Sequence, residues 1–187
     1  MRLFVAIDIS PELRDAIAKI VATLRPEAAD ARWSAPESMH VTLKFLGQTD
    51  DQKLPQIKAV LEKINSHLPV SLWFRGVGFF PDDKRPRVMW CGVEATPNLS
   101  ELASSIEKSL QPLGFDPETR PFVPHVTLAR LNSARGVEKL VRAAAPLKSY
   151  DFGAARESRF HLFESVLKKS GSEYKKLATF SFVKGAQ

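Results

Sequence analysis

The chain has 187 residues, of which 44% are hydrophobic and 26% charged, and its formal net charge is +6. This is an ordinary globular composition with enough apolar material for a real core, and it excludes disorder, collagen-like repetition and low-complexity sequence. No apolar run approaches the ~18–20 residues of a membrane span, and the lone Cys91 can close no intramolecular disulfide, which fits a reducing cytoplasm.

Residues 3–9 mix β-branched and aromatic side chains and read as a buried first strand. A single arginine, an apolar run broken by Asp8 and no small-residue cleavage site argue against a secretory signal. Ser10-Pro11-Glu12 then supplies a cap, a proline suited to a first helical turn and an early acid. Leu13, Ile17, Ile20, Val21 and Leu24 follow at helical spacing, and Pro26 stops the helix. A short strand is expected over 31–34 and a longer one over 39–46, ended by Gly47. Leu54, Ile57, Val60, Leu61 and Ile64 share one face of a second helix, with Asp50 or Asp51 near its start. Residues 70–80 are strand-like, and 81–86 form a polar, basic turn. Further on, strands are expected over 87–93, 122–131, 158–167 and 174–183. A helix opens at Thr96-Pro97-Asn98-Leu99 and closes at Gly114, and a short one spans 136–145.

The two halves read as a duplication, approximately 1–86 and 87–187, within a single bilobal domain over 1–187. His40-Val41-Thr42-Leu43 recurs 85 residues later as His125-Val126-Thr127-Leu128, and the helix opening Ser10-Pro11 recurs as Thr96-Pro97. A four-residue match alone is weak. Embedded in the same order of strands and helices it points to two related lobes facing each other.

Side chains alternate along a strand, so His40, Thr42 and Lys44 are expected on one face and Val41, Leu43 and Phe45 on the apolar one. In the other copy His125 and Thr127 share a face. Two strands brought together by pseudo-twofold symmetry would line one cleft with two imidazoles and two hydroxyls. That set suits phosphate chemistry. One imidazole takes a proton from water, the other gives one to a leaving oxygen, and the hydroxyls hold non-bridging oxygens. A lone His-x-Thr is usually structural, and it is the repeat that raises the functional reading. Zinc is disfavoured because the motif lacks the carboxylate, cysteine or third histidine such a site uses, so no metal or cofactor is expected. Arg130 falls by parity opposite His125 and Thr127, and reaches the cleft only if the strand ends or bulges near Ala129. Phe45 and Phe122 could stack on a base, with core packing the commoner fate. The Lys84-Arg85-Pro86-Arg87 run could attract an RNA backbone or be a solvated loop. His67 and His161, outside any motif, read as structural or exposed.

With these residues in place the sequence resembles the bacterial RNA 2′,3′-cyclic phosphodiesterases, historically called 2′-5′ RNA ligases, of the two-histidine (2H) phosphoesterase superfamily. The resemblance rests on Arg2-Leu3-Phe4-Val5-Ala6-Ile7, on His40-Val41-Thr42-Leu43-Lys44-Phe45-Leu46-Gly47 and on Arg85-Pro86-Arg87-Val88-Met89-Trp90. It also rests on the stretch from Arg120-Pro121-Phe122 to Ala129-Arg130 and on Phe163-Glu164-Ser165-Val166-Leu167. It implies an α+β fold with two mainly antiparallel sheets around a central cleft, helices outside, and one His-x-Thr strand from each lobe. It implies metal-independent hydrolysis of an RNA 2′,3′-cyclic phosphate end to a 2′-phosphate. By the same resemblance His40 is the proton donor, His125 the proton acceptor, and Thr42, Thr127 and Arg130 bind the phosphate. The near symmetry of the repeat leaves open, on the residues alone, which imidazole is acid and which base. The expected partner is an RNA with a cyclic phosphate end, tRNA fragments among the candidates, with no membrane and a single copy of the chain. Competing readings are ATP-independent 2′-5′ joining of RNA ends, a small cyclic-nucleotide phosphodiesterase and a non-catalytic RNA-binding module.

Overall fold

The first helix starts where its sequence signals stand. The Ser10 hydroxyl accepts a hydrogen bond from the Leu13 amide at 3.3 Å, Pro11 occupies the first turn, and Leu13, Ile17, Val21 and Leu24 are the buried face. Pro26 then sits in a single 3-10 turn that ends the segment. A computed structural model describes the whole chain except residues 29, 66, 67, 134, 169, 170 and 184–187, so the expectation for His67 lies outside the described residues. The strands are β1 (Arg2–Asp8), β2 (Arg32–Trp33), β3 (His40–Gln48), β4 (Val70–Phe80), β5 (Val88–Ala95), β6 (His125–Arg130), β7 (Asp151–Glu157), β8 (Arg159–Lys168) and β9 (Gly171–Ser181). The helices are α1 (Pro11–Leu24), α2 (Leu54–Glu62), α3 (Asn98–Leu110) and α4 (Val137–Ala144). A 3-10 turn follows α3, and Gly114 closes it with φ of 85°, a backbone region open to glycine at little cost.

The strands pair antiparallel in the order β7-β4-β5-β6-β3-β1-β8-β9, with β2 added beside β6. At the centre β3 and β6 are joined by one pair, Val41 with Val126. The two expected sheets are therefore the halves of one curled antiparallel sheet. Those halves are not the two halves of the chain: β4 leaves the first sequence repeat to pair with β5, and β8 leaves the second to pair with β1. Helix α1 packs towards β7 and α3 towards β3. Their buried residues join those of β1, β3 and β4 in a continuous core. Strand β7 has no counterpart among the sequence expectations. It is an edge strand paired only with β4, and of its seven residues only Phe152 is buried. The alternation that announces a strand is nearly absent.

Both motif strands carry the same irregularity. Val5 faces Lys44 while Ala6 faces Thr42, which leaves Leu43 as an extra residue. Met89 faces Ala129 while Trp90 faces Thr127, which leaves Leu128 extra. A one-residue bulge reverses the alternation of every side chain beyond it. The expectation that Lys44 shares a face with His40 is therefore overturned. Lys44 is 6% exposed, and its Nζ lies 2.5 Å from Glu107 Oε1 of α3 and donates to the Asp116 carbonyl at 2.5 Å. An ammonium taken out of water needs such partners, since desolvation costs several kcal/mol for an unpaired ion. Phe45, expected on the apolar side, is 61% exposed on the His40 face. Arg130 passes by the same device to the side of His125 and Thr127. No helix among the described residues is long and apolar enough to cross a membrane.

Candidate active site

The site stands on the central pair of the sheet. Val41 faces Val126 across an antiparallel step, so one residue to either side His40 faces Thr127 and Thr42 faces His125. Facing residues in a sheet share a face, and the diagonal neighbours His40 and His125 lie about 7–8 Å apart in an ideal ladder. Each imidazole thus has the hydroxyl of the other motif strand across from it.

Both rings are held by the same local contact. His40 Nδ1 lies 2.6 Å from the Ser38 carbonyl oxygen, and His125 Nδ1 lies 2.7 Å from that of Val123. A carbonyl only accepts, so Nδ1 carries the proton in both. That leaves each Nε2 with its lone pair directed away from the backbone, ready to take or return a proton. Phe4 stacks at a tilt over His40 at 4.7 Å, and Tyr174 of β9 meets it edge-on at 5.1 Å. Phe163 stacks on Phe4 at 5.2 Å, and Phe4, Ala6 and Phe163 form a second apolar cluster apart from the main core, with Tyr174 packed against it. His125 has Phe80 edge-on at 5.0 Å, and Phe80 leans on Trp90 at 5.2 Å. Trp90 needs bare backbone beneath it: a Cβ on Gly78 would come within 2.4 Å of the indole, so glycine is required there.

Electrostatics distinguish the two rings. Burial pushes His40 down to about 4, and the Ser38 carbonyl and the Asp8 charge pull it back upward. Burial also lowers His125, the Val123 carbonyl opposes this, and the Arg130 charge lowers it further. Asp8 stands directly across β1 from His40, whereas Gly92 stands across β5 from His125. Burial works upward on the Asp8 carboxyl, but its hydrogen bond to Lys176 (Nζ to Oδ2, 2.9 Å) and the charges of Arg14 and Lys176 outweigh it and hold the group ionised. His40 has the Asp8 carboxylate for a neighbour, opposed by the Arg14 charge paired with it, and His125 has the Arg130 guanidinium.

The sequence brings together His40, Thr42, His125 and Thr127 as expected, and Phe45 and Arg130 occupy matching places just beyond the bulges. Phe122 instead packs against the core, and the 84–87 run lies on the exposed turn of the β4–β5 hairpin, folded over the Asp82 carboxylate, which accepts from the Lys84 and Arg85 amides at 2.8 and 2.9 Å. His161 faces Ala6 on the same side of the sheet, is 8% exposed, and its Nδ1 lies 2.9 Å from Thr179 Oγ1. Burial first, then the Lys176 charge, pushes it down to about 4. Cys91 is buried and its thiol is pushed up to about 12 by burial, so no thiolate nucleophile arises there. Among the described residues no three His, Cys, Asp or Glu side chains are placed to hold a metal ion. Asp8, Phe4, Tyr174, Phe80 and Trp90 were not singled out from sequence. Only Asp8 left a signal there, as the charge that interrupts an apolar strand.

Comparison with known proteins places this site in context. The profile of the 2′-5′ RNA ligase superfamily matches residues 10–164. A protein of Methanothermobacter thermautotrophicus named RNA 2′,3′-cyclic phosphodiesterase is 34% identical over 96% of this chain and 98% of its own length. One of the same name from Thermotoga maritima is 33% identical over 99% of this chain and 97% of its own. Among solved structures, a Thermus thermophilus protein superposes with a TM-score of 0.82 at 28% identity, covering 97% of this chain and 98% of that one. E. coli LigT complexed with 3′-AMP superposes with a TM-score of 0.78 at 28% identity, over 96% and 97%. Sharing their fold and nearly their full length, the chain belongs to the 2′-5′ RNA ligase superfamily.

Proposed function

We propose that this protein hydrolyses the 2′,3′-cyclic phosphate at the end of an RNA to a 2′-phosphate, with His40 and His125 as acid and base and no metal. The observation that carries the reading is the pair of imidazoles on one sheet face, both with Nδ1 tied to a backbone carbonyl and Nε2 without a hydrogen bond among the described residues, each opposite a threonine. The name shared by the relatives, RNA 2′,3′-cyclic phosphodiesterase, supports the same chemistry.

In this reading the cyclic phosphate sits between the rings. Thr42 and Thr127 donate hydrogen bonds to its non-bridging oxygens, and Arg130 supplies positive charge from the second lobe. His125 Nε2 takes a proton from water as the water oxygen bonds to phosphorus. The bond from phosphorus to O3′ breaks, and His40 Nε2 returns a proton to that oxygen. The products are a 2′-phosphate and a 3′-hydroxyl, and the two rings regain their starting states by exchange with solvent. Burial disfavours a proton on either ring in the free protein. A bound phosphate anion opposes that effect for both, the Asp8 carboxylate acts in the same direction on His40, and the Arg130 charge acts against it on His125. Exposed Phe45 offers a face for the terminal base. The net charge of +6 suits a polyanion. A single copy of the chain acting in the cytoplasm, on ends such as those of tRNA fragments, completes the proposal.

The test is an oligoribonucleotide with a 2′,3′-cyclic phosphate end incubated with the protein in EDTA. Conversion to a 2′-phosphomonoester is expected. No conversion would remove the reading, and a 3′-phosphate product would reverse the identity of the oxygen that leaves.

A further inference from the structure

The two-residue strand β2 has a place in the sheet that its own sequence does not explain. Arg32 pairs with Arg130 and Trp33 with Ala129. Trp33 turns to the core side, where its Nε1 donates to the Ala28 carbonyl at 3.3 Å and its ring packs on the main cluster. Arg32 therefore lies on the opposite face, beside Arg130 and on the side of His125 and Thr127. Two like charges directly opposite each other in a ladder are destabilising. Among the described residues neither guanidinium has a carboxylate or a hydrogen-bond acceptor for a partner, although eight other cationic groups, including the chain's amino terminus, make ion pairs. An arrangement of this kind is completed by an anion.

The position along the strand says which anion. Thr127 belongs to the reacting centre, and Arg130 is three residues further along β6, about 7–10 Å at strand spacing. Arg32 lies one strand beyond that, about 4.7–4.9 Å to the side, beside Arg130 rather than beside Thr127. The other lobe has no such feature. Phe45 occupies the place that Arg130 holds here, and the residues 85 beyond Arg32 and Trp33 are Pro117 and Glu118, which form no strand, with Glu118 closed on Arg120 at 3.0 Å. One rim of the cleft is cationic and the other aromatic.

We infer that Arg32, with Arg130 beside it, is a subsite for the phosphodiester immediately 5′ of the terminal nucleotide, so that the protein selects oligonucleotide ends over cyclic mononucleotides. The inference rests on the hydrolytic reading above. The guanidinium is suited to the task because its planar fork meets two phosphate oxygens at once.

The experiment compares kcat/KM on a 2′,3′-cyclic mononucleotide and on a short oligoribonucleotide with the same end, for the natural protein and Arg32→Ala, across a salt series. The variant is expected to lose about tenfold of the preference for the oligonucleotide. The slope of log(kcat/KM) against log salt on the oligonucleotide is expected to flatten by about 0.7, the value for one phosphate contact on a single strand. An equal loss on both substrates, or an unchanged preference and slope, would overturn the subsite. If the natural protein cleaves neither substrate, the hydrolytic reading fails instead. The subsite is then judged by binding of a 3′-phosphorylated oligonucleotide, where an affinity and salt slope indifferent to Arg32→Ala would overturn it.

Discussion

Replacing either His40 or His125 by alanine is expected to lower kcat by at least about 10³-fold, within the range general acid–base groups contribute. The double variant is expected to be little worse than either single one, because acid and base act on one phosphorus in one transition state and their losses do not add. The fold should survive, since each ring makes one hydrogen bond to a neighbouring carbonyl and neither lies in the main core. Circular dichroism of each variant beside its rate separates lost chemistry from lost structure. A folded single variant that keeps more than about a tenth of the activity would contradict the two-imidazole account.

The second large effect is on pH. In the free protein burial lowers both histidines from 6.5, His40 to about 4. The productive form carries one proton on the pair, and a pair this close titrates as a unit. The sign follows. As pH rises through the apparent values the pair loses its last proton, so kcat/KM, which reports the free enzyme, is expected to peak below pH 6.5 and decline towards neutrality and above. Bound phosphate raises both groups, so the bell for kcat is expected at higher pH than that for kcat/KM. Asp8→Asn removes the carboxylate opposite His40 and is expected to move the alkaline limb of kcat to lower pH, since less charge then holds the proton on the acid. The complete profiles measured for the natural protein and this variant check all three signs. A kcat/KM optimum above pH 8 would contradict the burial argument.

The limits of legibility in this sequence have physical causes. The His-x-Thr pair was readable because it recurs at one offset with the same apolar partners. The facings of Lys44, Phe45 and Arg130 were not, because a bulge adds a residue without altering composition and inverts everything after it. The two copies together did hold the clue. A straight strand would send Arg130 to the core side with Val126, and the smallest side chain, Ala129, to the cleft. The reverse arrangement suits both residues, and the equivalent Lys44 is then buried only because Glu107 and the Asp116 carbonyl receive it. Strand β7 escaped for a different reason, as an edge strand with one buried residue shows almost no alternation. The interleaving of the two sheet halves depends on which strands pair across long separations, and local pattern does not carry that.

The same asymmetries organise the proposed function. In the proposed mechanism two similarly held imidazoles are given different work by the residues that differ around them: Asp8 against Gly92 beside the rings, Phe45 against Arg130 beyond the bulges, and Arg32 against Pro117 at the rim.

The most direct measurement is a crystal structure of the protein with a nucleoside 2′-phosphate, the product of the proposed reaction. The account predicts the phosphorus between the two rings, with both Nε2 atoms and both threonine hydroxyls within about 3 Å of its oxygens. A product phosphate bound away from either ring, or reached by Nδ1 rather than Nε2, would contradict it.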